Sequence, residues 1–233
     1  MVVSADMAQQ RTEFQSGSVL IARILSAVTL APPVMLAIYF GSPYFELLVG
    51  IAWIILVMEW RQMTKRDNRW FFSGLLYLGL GCFSLIWLRE DNDIGKKITF
   101  WLFFCIWAMD CGAYFFGKTI GGPKLVPRLS PKKTWAGLLG GMVSAASVGV
   151  LISYLSDGQN LILSAAVSAL VGGISQSGDL LESFVKRRFD VKDSSKLIPG
   201  HGGLMDRVDG LLAAAIFVAT VEYLFGKGIP KWF

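Results

Sequence analysis

Seven stretches of this chain are apolar for long enough to cross a lipid bilayer, and any fold for it must meet that constraint. A hydrocarbon core of about 30 Å takes about 20 residues of helix. The candidates run roughly over 24–40, 44–59, 70–88, 98–117, 135–155, 161–178 and 209–226. In lipid each backbone N–H and C=O must be satisfied by the protein itself, which makes helices the solution for segments of this length. Asp110 interrupts the fourth stretch and Asp179 closes the sixth. With 54% hydrophobic residues and a mean hydropathy of +0.53, the composition excludes an ordinary soluble domain. The expected fold class is all-α, a polytopic transmembrane helical bundle of about seven spans. Pro32 and Pro33 should kink the first span. The polar first 17 residues, with Asp6 and Glu13, lead into a full-length span, so no signal peptide is expected.

Charge then sets the orientation. If the N-terminus is cytoplasmic, the inside segments hold 17 of the 22 Lys and Arg residues and the outside segments hold 5, a clear positive-inside bias. The inside set comprises Arg11 and Arg23, a group from Arg61 to Arg69, five cations from Lys118 to Lys133 and six from Lys186 to Arg207. Parity therefore places the two most polar loops, 118–133 and 179–207, on one side of the membrane, where they can build one site. Topology and phosphate binding account for the net charge of +5, so no nucleic-acid partner is expected. Cys82, Cys105 and Cys111 lie in or beside apolar segments without metal-ligand spacing and read as structural.

Four groups of residues stand out for chemistry. Asp110, in WAMDCGAYFFGK, is a carboxylate inside a span, which costs at least about 2.5 kcal/mol and so should face a cavity, a partner or an ion. Its bland alternative is a buried pair with a base on another helix. In the next loop, Gly121 and Gly122 allow close backbone approach and three prolines stiffen the chain, while Lys124, Arg128, Lys132 and Lys133 supply charge. Ser130 and Thr134 add hydroxyls. The loop suits a polyphosphate, and either hydroxyl could cap the following helix.

The run from Ser175 to Gly210 is denser still, with five Asp, one Glu, six Lys or Arg and the chain's only His. Asp179, Glu182, Ser183 and Lys186 recur at i, i+3, i+4 and i+7, so they share one face if the sixth helix continues. That face could bind a metal ion and a phosphate together, or could carry only an intrahelical Glu182–Lys186 pair. Lys192 and Asp193 follow, then His201 among glycines, a residue able to donate to a phosphate oxygen or handle a proton. Asp206 and Asp209 lie three apart, flanking Arg207, at the start of the last span. Carboxylates without thiols or imidazole clusters suit a hard cation such as Mg²⁺. An Asp at a helix start is also a common cap.

The segment SFVKRRFDVKDSSKLIPGHGGLMDRVD, Ser183 to Asp209, resembles the defining motif of the phosphatidate cytidylyltransferases, also called CDP-diacylglycerol synthases. GDLLES, SPKKTWAG and WAMDCGAYFFGK are similar to that family's other blocks and fall in the same order. The resemblance covers about residues 101 to 212; further upstream only MEW at 58–60 and the hydropathy match. It implies transfer of CMP from CTP to phosphatidic acid, giving CDP-diacylglycerol and pyrophosphate, with Mg²⁺ as cofactor. It also implies a bacterial inner-membrane location with the site at the cytoplasmic edge, and a region 1–97 of N-terminal spans beside a catalytic region 98–233 within one membrane domain. Asp110, Asp179, Asp206 and Asp209 are the implied metal-site residues. Asp206, Asp209, Lys186, Arg207 and His201 are the implied catalytic set. Lys132, Lys133, Ser130, Thr134, Ser183, Arg187, Lys192 and Asp193 are the implied substrate contacts. A homodimer is among the expected assemblies, and the sequence leaves the oligomeric state open.

The SPKKTWAG block departs from that family in carrying Ala136 where a Glu is usual, which implies either weakened activity here or replacement by another acid such as Glu182. Two alternatives stand beside this reading. One is a related CTP-dependent enzyme acting on an ether lipid or a polyprenol. The other is an ion-coupled transporter using Asp110 and Asp179 as relays, although the chain shows no convincing internal repeat.

Overall fold

The computed structural model describes residues 29–225 apart from 66, 92, 157, 159, 196 and 198–201. The first five residues of the expected first span, Arg11, Arg23 and His201 therefore lie outside the described residues. Seven helices run α1 (Thr29–Phe40), α2 (Tyr44–Met63), α3 (Asn68–Arg89), α4 (Ile94–Thr119), α5 (Trp135–Leu155), α6 (Leu161–Arg188) and α7 (Met205–Phe225). Each coincides with one of the seven apolar stretches. Of these, α3 to α7 are long and apolar enough to cross a membrane by length and composition, whereas α1 is shorter. Helix α2 has the length but carries Glu46, Glu59 and Arg61.

Local chemistry sets several of the helix starts. Asp67 caps α3 by accepting from the backbone N–H of Arg69 and Trp70 at 2.9 and 3.3 Å. Thr134 caps α5 through Gly137 N–H at 3.1 Å, and Asn160 caps α6 through Leu163 N–H at 3.0 Å. Each side-chain oxygen satisfies a donor that has no partner within the helix.

The 118–134 connection is more ordered than a loop. Its residues form a β-hairpin, β1 (Lys124–Val126) with β2 (Ser130–Thr134), paired antiparallel with Lys124 opposite Thr134 and Val126 opposite Ser130. It is the one non-helical element in an otherwise helical fold among the described residues.

The helices pack in sequence order, α4 on α5, α5 on α6 and α6 on α7, while α3 also lies against α7. The α4–α5 crossing is close because glycine removes the side chains between the backbones: a Cβ on Gly141 would fall 2.7 Å from Met109 O, and one on Gly137 2.8 Å from Ala113 O. Close approach through small residues is the usual basis of helix association in lipid. Within the bundle Trp101 Nε1–H donates to Ser168 Oγ at 2.8 Å. The outward face is the reverse of a soluble surface, with Leu76, Phe83 and Tyr223 exposed by 65%, 65% and 79%. Apolar side chains presented outward at this density fit contact with lipid. The up-and-down path brings the end of α2, the hairpin, the end of α6 and the start of α7 to the same end of the bundle.

Candidate active site

Helix α6 does not stop where its apolarity stops. Hydrogen-bonded helix continues to Arg188, so Asp179, Glu182, Ser183 and Lys186 do share a face. Lys186 Nζ donates to Glu182 Oε2 at 2.7 Å and to Asp206 Oδ1 at 2.7 Å. The intrahelical Glu182–Lys186 pair is thus present, but one arm of a three-residue bridge that ties α6 to α7. Glu182 is almost fully buried. Ser183 Oγ donates to Asp179 Oδ1 at 3.5 Å, and Lys133 of β2 is ion-paired with the other Asp179 oxygen at 2.5 Å. The hairpin therefore delivers its cation directly onto α6.

Helix α7 begins at Met205, so Asp206 and Asp209 both lie in its first turns. Asp206 is surrounded by donors. Besides Lys186 on Oδ1, its Oδ2 accepts from Ser194 N–H at 3.1 Å, Ser194 Oγ at 2.9 Å and Gly203 N–H at 2.9 Å. It fastens the polar loop to the helix start, close to the capping role weighed from the sequence. Asp209 is half-buried, and its Oδ1 accepts from Gly210 N–H at 2.8 Å. Its carbonyl is held from α3 by Tyr77 Oη–H at 3.2 Å. A Cβ on Gly178 would fall 2.7 Å from the Ala213 Cβ, so glycine is what lets α6 lie close against α7 beside Asp209.

Asp110 of α4 completes the cleft. It accepts from Gln176 Nε2 at 3.4 Å and lies within electrostatic reach of the carboxylates of Asp209 and Asp179 and of the cations Lys133 and Arg207. Three carboxylates from three helices thus lie within electrostatic reach of one another. Of the three, only Asp179 is ion-paired among the described residues. Among the described residues no base forms an ion pair with Asp110.

Other expected site residues sit further out. Lys132, Arg187, Lys192, Asp193 and Arg207 are exposed. Ser130 is half-buried in β2 opposite Val126. Thr134 is buried and serves as the α5 cap. Cys82 and Cys105 are buried as expected, while Cys111, next to Asp110, is exposed.

The residue that sequence reasoning missed is Glu59 of α2. It is 4% exposed, and its carboxylate accepts from Ser195 Oγ, Leu204 N–H, Met205 N–H and Ser194 Oγ at 2.6, 2.9, 2.8 and 3.2 Å. The signal was available: an acid inside an apolar helix raises the same question as Asp110, and MEW lay on the page.

Fold and site together define an integral membrane protein whose polar groups, acids and cations in near balance, converge at one end of a helical bundle. Residues 66–225 match the model of the Cytidylyltransferase family, and the chain belongs to that family. The phosphatidate cytidylyltransferase of Brucella suis biovar 1 (strain 1330) is 44% identical over 180 residues, covering 77% of this chain and 63% of the relative. Those of Rickettsia bellii (strain RML369-C) and Rickettsia prowazekii (strain Madrid E) are each 36% identical over 211 residues, covering 87% of this chain and 90% or 92% of the relative. The chain thus spans 63% of the length of the Brucella relative and most of the length of the rickettsial ones.

Proposed function

We propose that this protein is a CTP:phosphatidate cytidylyltransferase of the bacterial inner membrane, working at the cytoplasmic edge of the bundle. The observation that carries the reading is the convergence of four separated sequence blocks on one cleft. Asp110 comes from α4, Lys133 from the hairpin, Asp179 and Lys186 from α6, and Asp209 from α7, with Arg207 at the rim. The relatives' name and the 17-to-5 cation bias support the same reading.

In the proposed reaction an oxygen of the phosphatidate phosphate attacks the α-phosphorus of CTP in line. A new P–O bond forms, the bond from the α-phosphorus to the α,β-bridging oxygen breaks, and pyrophosphate leaves with that electron pair. A phosphate oxygen needs little deprotonation to act as nucleophile, so the protein's task is positioning and charge neutralisation. The exposed cations Lys132, Arg187 and Lys192 are placed to meet the phosphates, with Arg207 at the rim. Lys133 and Lys186 already have carboxylate partners, and a phosphate entering between them would compete for the same donors. The bilayer keeps the lipid substrate at the depth of the cleft.

The donor chemistry fits Mg²⁺. Asp110, Asp179 and Asp209 offer oxygen ligands only. No group of three or more His, Cys, Asp or Glu among the described residues forms a ready-made cage. A hard cation that keeps its waters needs only one or two carboxylates plus substrate phosphates, so Asp110, Asp179 and Asp209 would hold it. Asp206 is the least suited of the four acids expected there, because four donors already occupy its oxygens. When bound, the cation would neutralise charge on the triphosphate.

The test is an assay of the purified full chain in lipid–detergent micelles. CTP, ATP, GTP and UTP would each be offered with diacyl phosphatidate, an ether-lipid phosphate and a polyprenol. CDP-diacylglycerol and pyrophosphate should appear in equal amounts with CTP and diacyl phosphatidate; preferential turnover of either other lipid would reassign the substrate.

A further inference from the structure

The polar loop and the start of α7 are held from the N-terminal half of the chain. Glu59 reaches them from α2 across 145 and 146 residues of sequence, and both of its oxygens are used: Oε1 by Ser195 Oγ and Leu204 N–H, Oε2 by Met205 N–H and Ser194 Oγ. It is in no ion pair among the described residues. Its charge is instead met by hydroxyls and by backbone N–H groups at the N-terminus of α7, where the helix field favours an anion. The fit leaves no spare room, since a Cβ on Gly203 would fall 2.7 and 2.8 Å from the two Glu59 oxygens. Ser194 lies between two carboxylates, its Oγ 3.2 Å from Glu59 and 2.9 Å from Asp206.

We propose that Glu59 is a positioning residue for the cytidylyl-transfer site: a carboxylate clamp on the first turn of α7 that sets where Asp206, Lys186 and Asp209 stand. This inference rests on the reading under Proposed function for its catalytic consequence, though not for the clamp itself. Met205 N–H, which Glu59 holds, belongs to the residue before Asp206; Asp206 in turn fixes the Lys186 ammonium, and Asp209 follows within one turn. A shift of about 1 Å in that turn would move all three groups together, and misplacement on that scale can cost about 10²-fold in rate. The clamp must be a carboxylate because two backbone N–H groups and the Ser195 hydroxyl donate to it, while the Ser194 hydroxyl shares its one proton between Glu59 and Asp206. A carboxylate only accepts, whereas the amide of Gln would turn an N–H₂ toward one pair of donors.

The experiment uses the full chain in nanodiscs. In Glu59→Gln, hydrogen exchange at the Leu204 and Met205 amides should speed up at least tenfold. The folded fraction should lose about 10- to 100-fold in kcat/KM for CTP, and Glu59→Asp should fall between Gln and wild type. Adding Ser195→Ala to Glu59→Gln should lower kcat/KM by less than Ser195→Ala does alone, because the two groups act through one contact. Unchanged exchange at Leu204 and Met205 would overturn the clamp. A lower melting temperature with unchanged kcat/KM per folded protein would leave Glu59 merely structural and overturn the positioning role. If wild type forms no CDP-diacylglycerol, the proposed function falls, and the exchange measurement alone decides the clamp.

Discussion

The start of α7 carries two acidic groups that look alike in sequence and are built in opposite ways. Glu59 and Asp206 are saturated: each accepts hydrogen bonds on both oxygens, from loop hydroxyls and from backbone N–H groups, and in Asp206 also from Lys186. Asp110, Asp179 and Asp209, only a turn or a helix away, share Lys133, the Ser183 hydroxyl, Gln176 and one backbone N–H among them. A saturated carboxylate has little left to offer a ligand, and its removal leaves orphaned donors inside the protein. An under-satisfied carboxylate cluster near a membrane is costly as it stands and gains when a cation or a cation-bearing substrate arrives. The first pair is built to hold the fold and the second is left open to a ligand, with Lys186 and its buried partner Glu182 between them.

The largest effect should come from the cleft. Asp209→Asn should lower CDP-diacylglycerol formation by about 10²- to 10³-fold, with the melting temperature in detergent held within a few degrees. Full activity in that folded variant would erase the distinction between cleft and clamp. Next in size is the bridge. Lys186→Met strands the buried Glu182 carboxylate, which should cost about 3–5 kcal/mol of stability, read from thermal unfolding; adding Glu182→Gln should recover much of it. Failure of the second change to rescue would show that Lys186 acts through Asp206 instead. In the clamp, Gly203→Ala pushes a methyl against the Glu59 oxygens and should cost about 1–3 kcal/mol, measurable by the same melts. The smallest effect belongs to the exposed rim: Lys132→Ala should raise KM for CTP several-fold without moving the melting temperature, since exposed charges add little to stability.

Hydropathy located all seven helices, yet it stopped four or more residues short at four ends, those of α2, α4, α6 and α7, for one reason. It sees where a segment leaves the bilayer, not where helical hydrogen bonding stops. Helix α6 runs through LLESFVKRR to Arg188, and α7 starts at Met205; both extensions are polar, and both carry site residues. The Thr134 cap was legible because capping is local chemistry. The hairpin was not: glycines, prolines and lysines read as loop, and the antiparallel pairing of Lys124 with Thr134 joins residues ten apart whose propensities are unremarkable. Glu59 was missed because its partners lie in the other half of the chain.

The sequence by itself determined the helical membrane class, the side of the bundle on which the polar loops meet, and the residue types available there. Those properties follow from hydropathy, charge parity and helical period, which are read over windows of one or two turns. Only the tertiary structure decided which acids are spent on holding the fold and which remain for a ligand. That choice rests on donors brought within 3 Å of Glu59 from 145 residues away and on a lysine placed between two helices. A carboxylate's role is set by the donors around it, and those donors are assembled by packing rather than by neighbours in the chain.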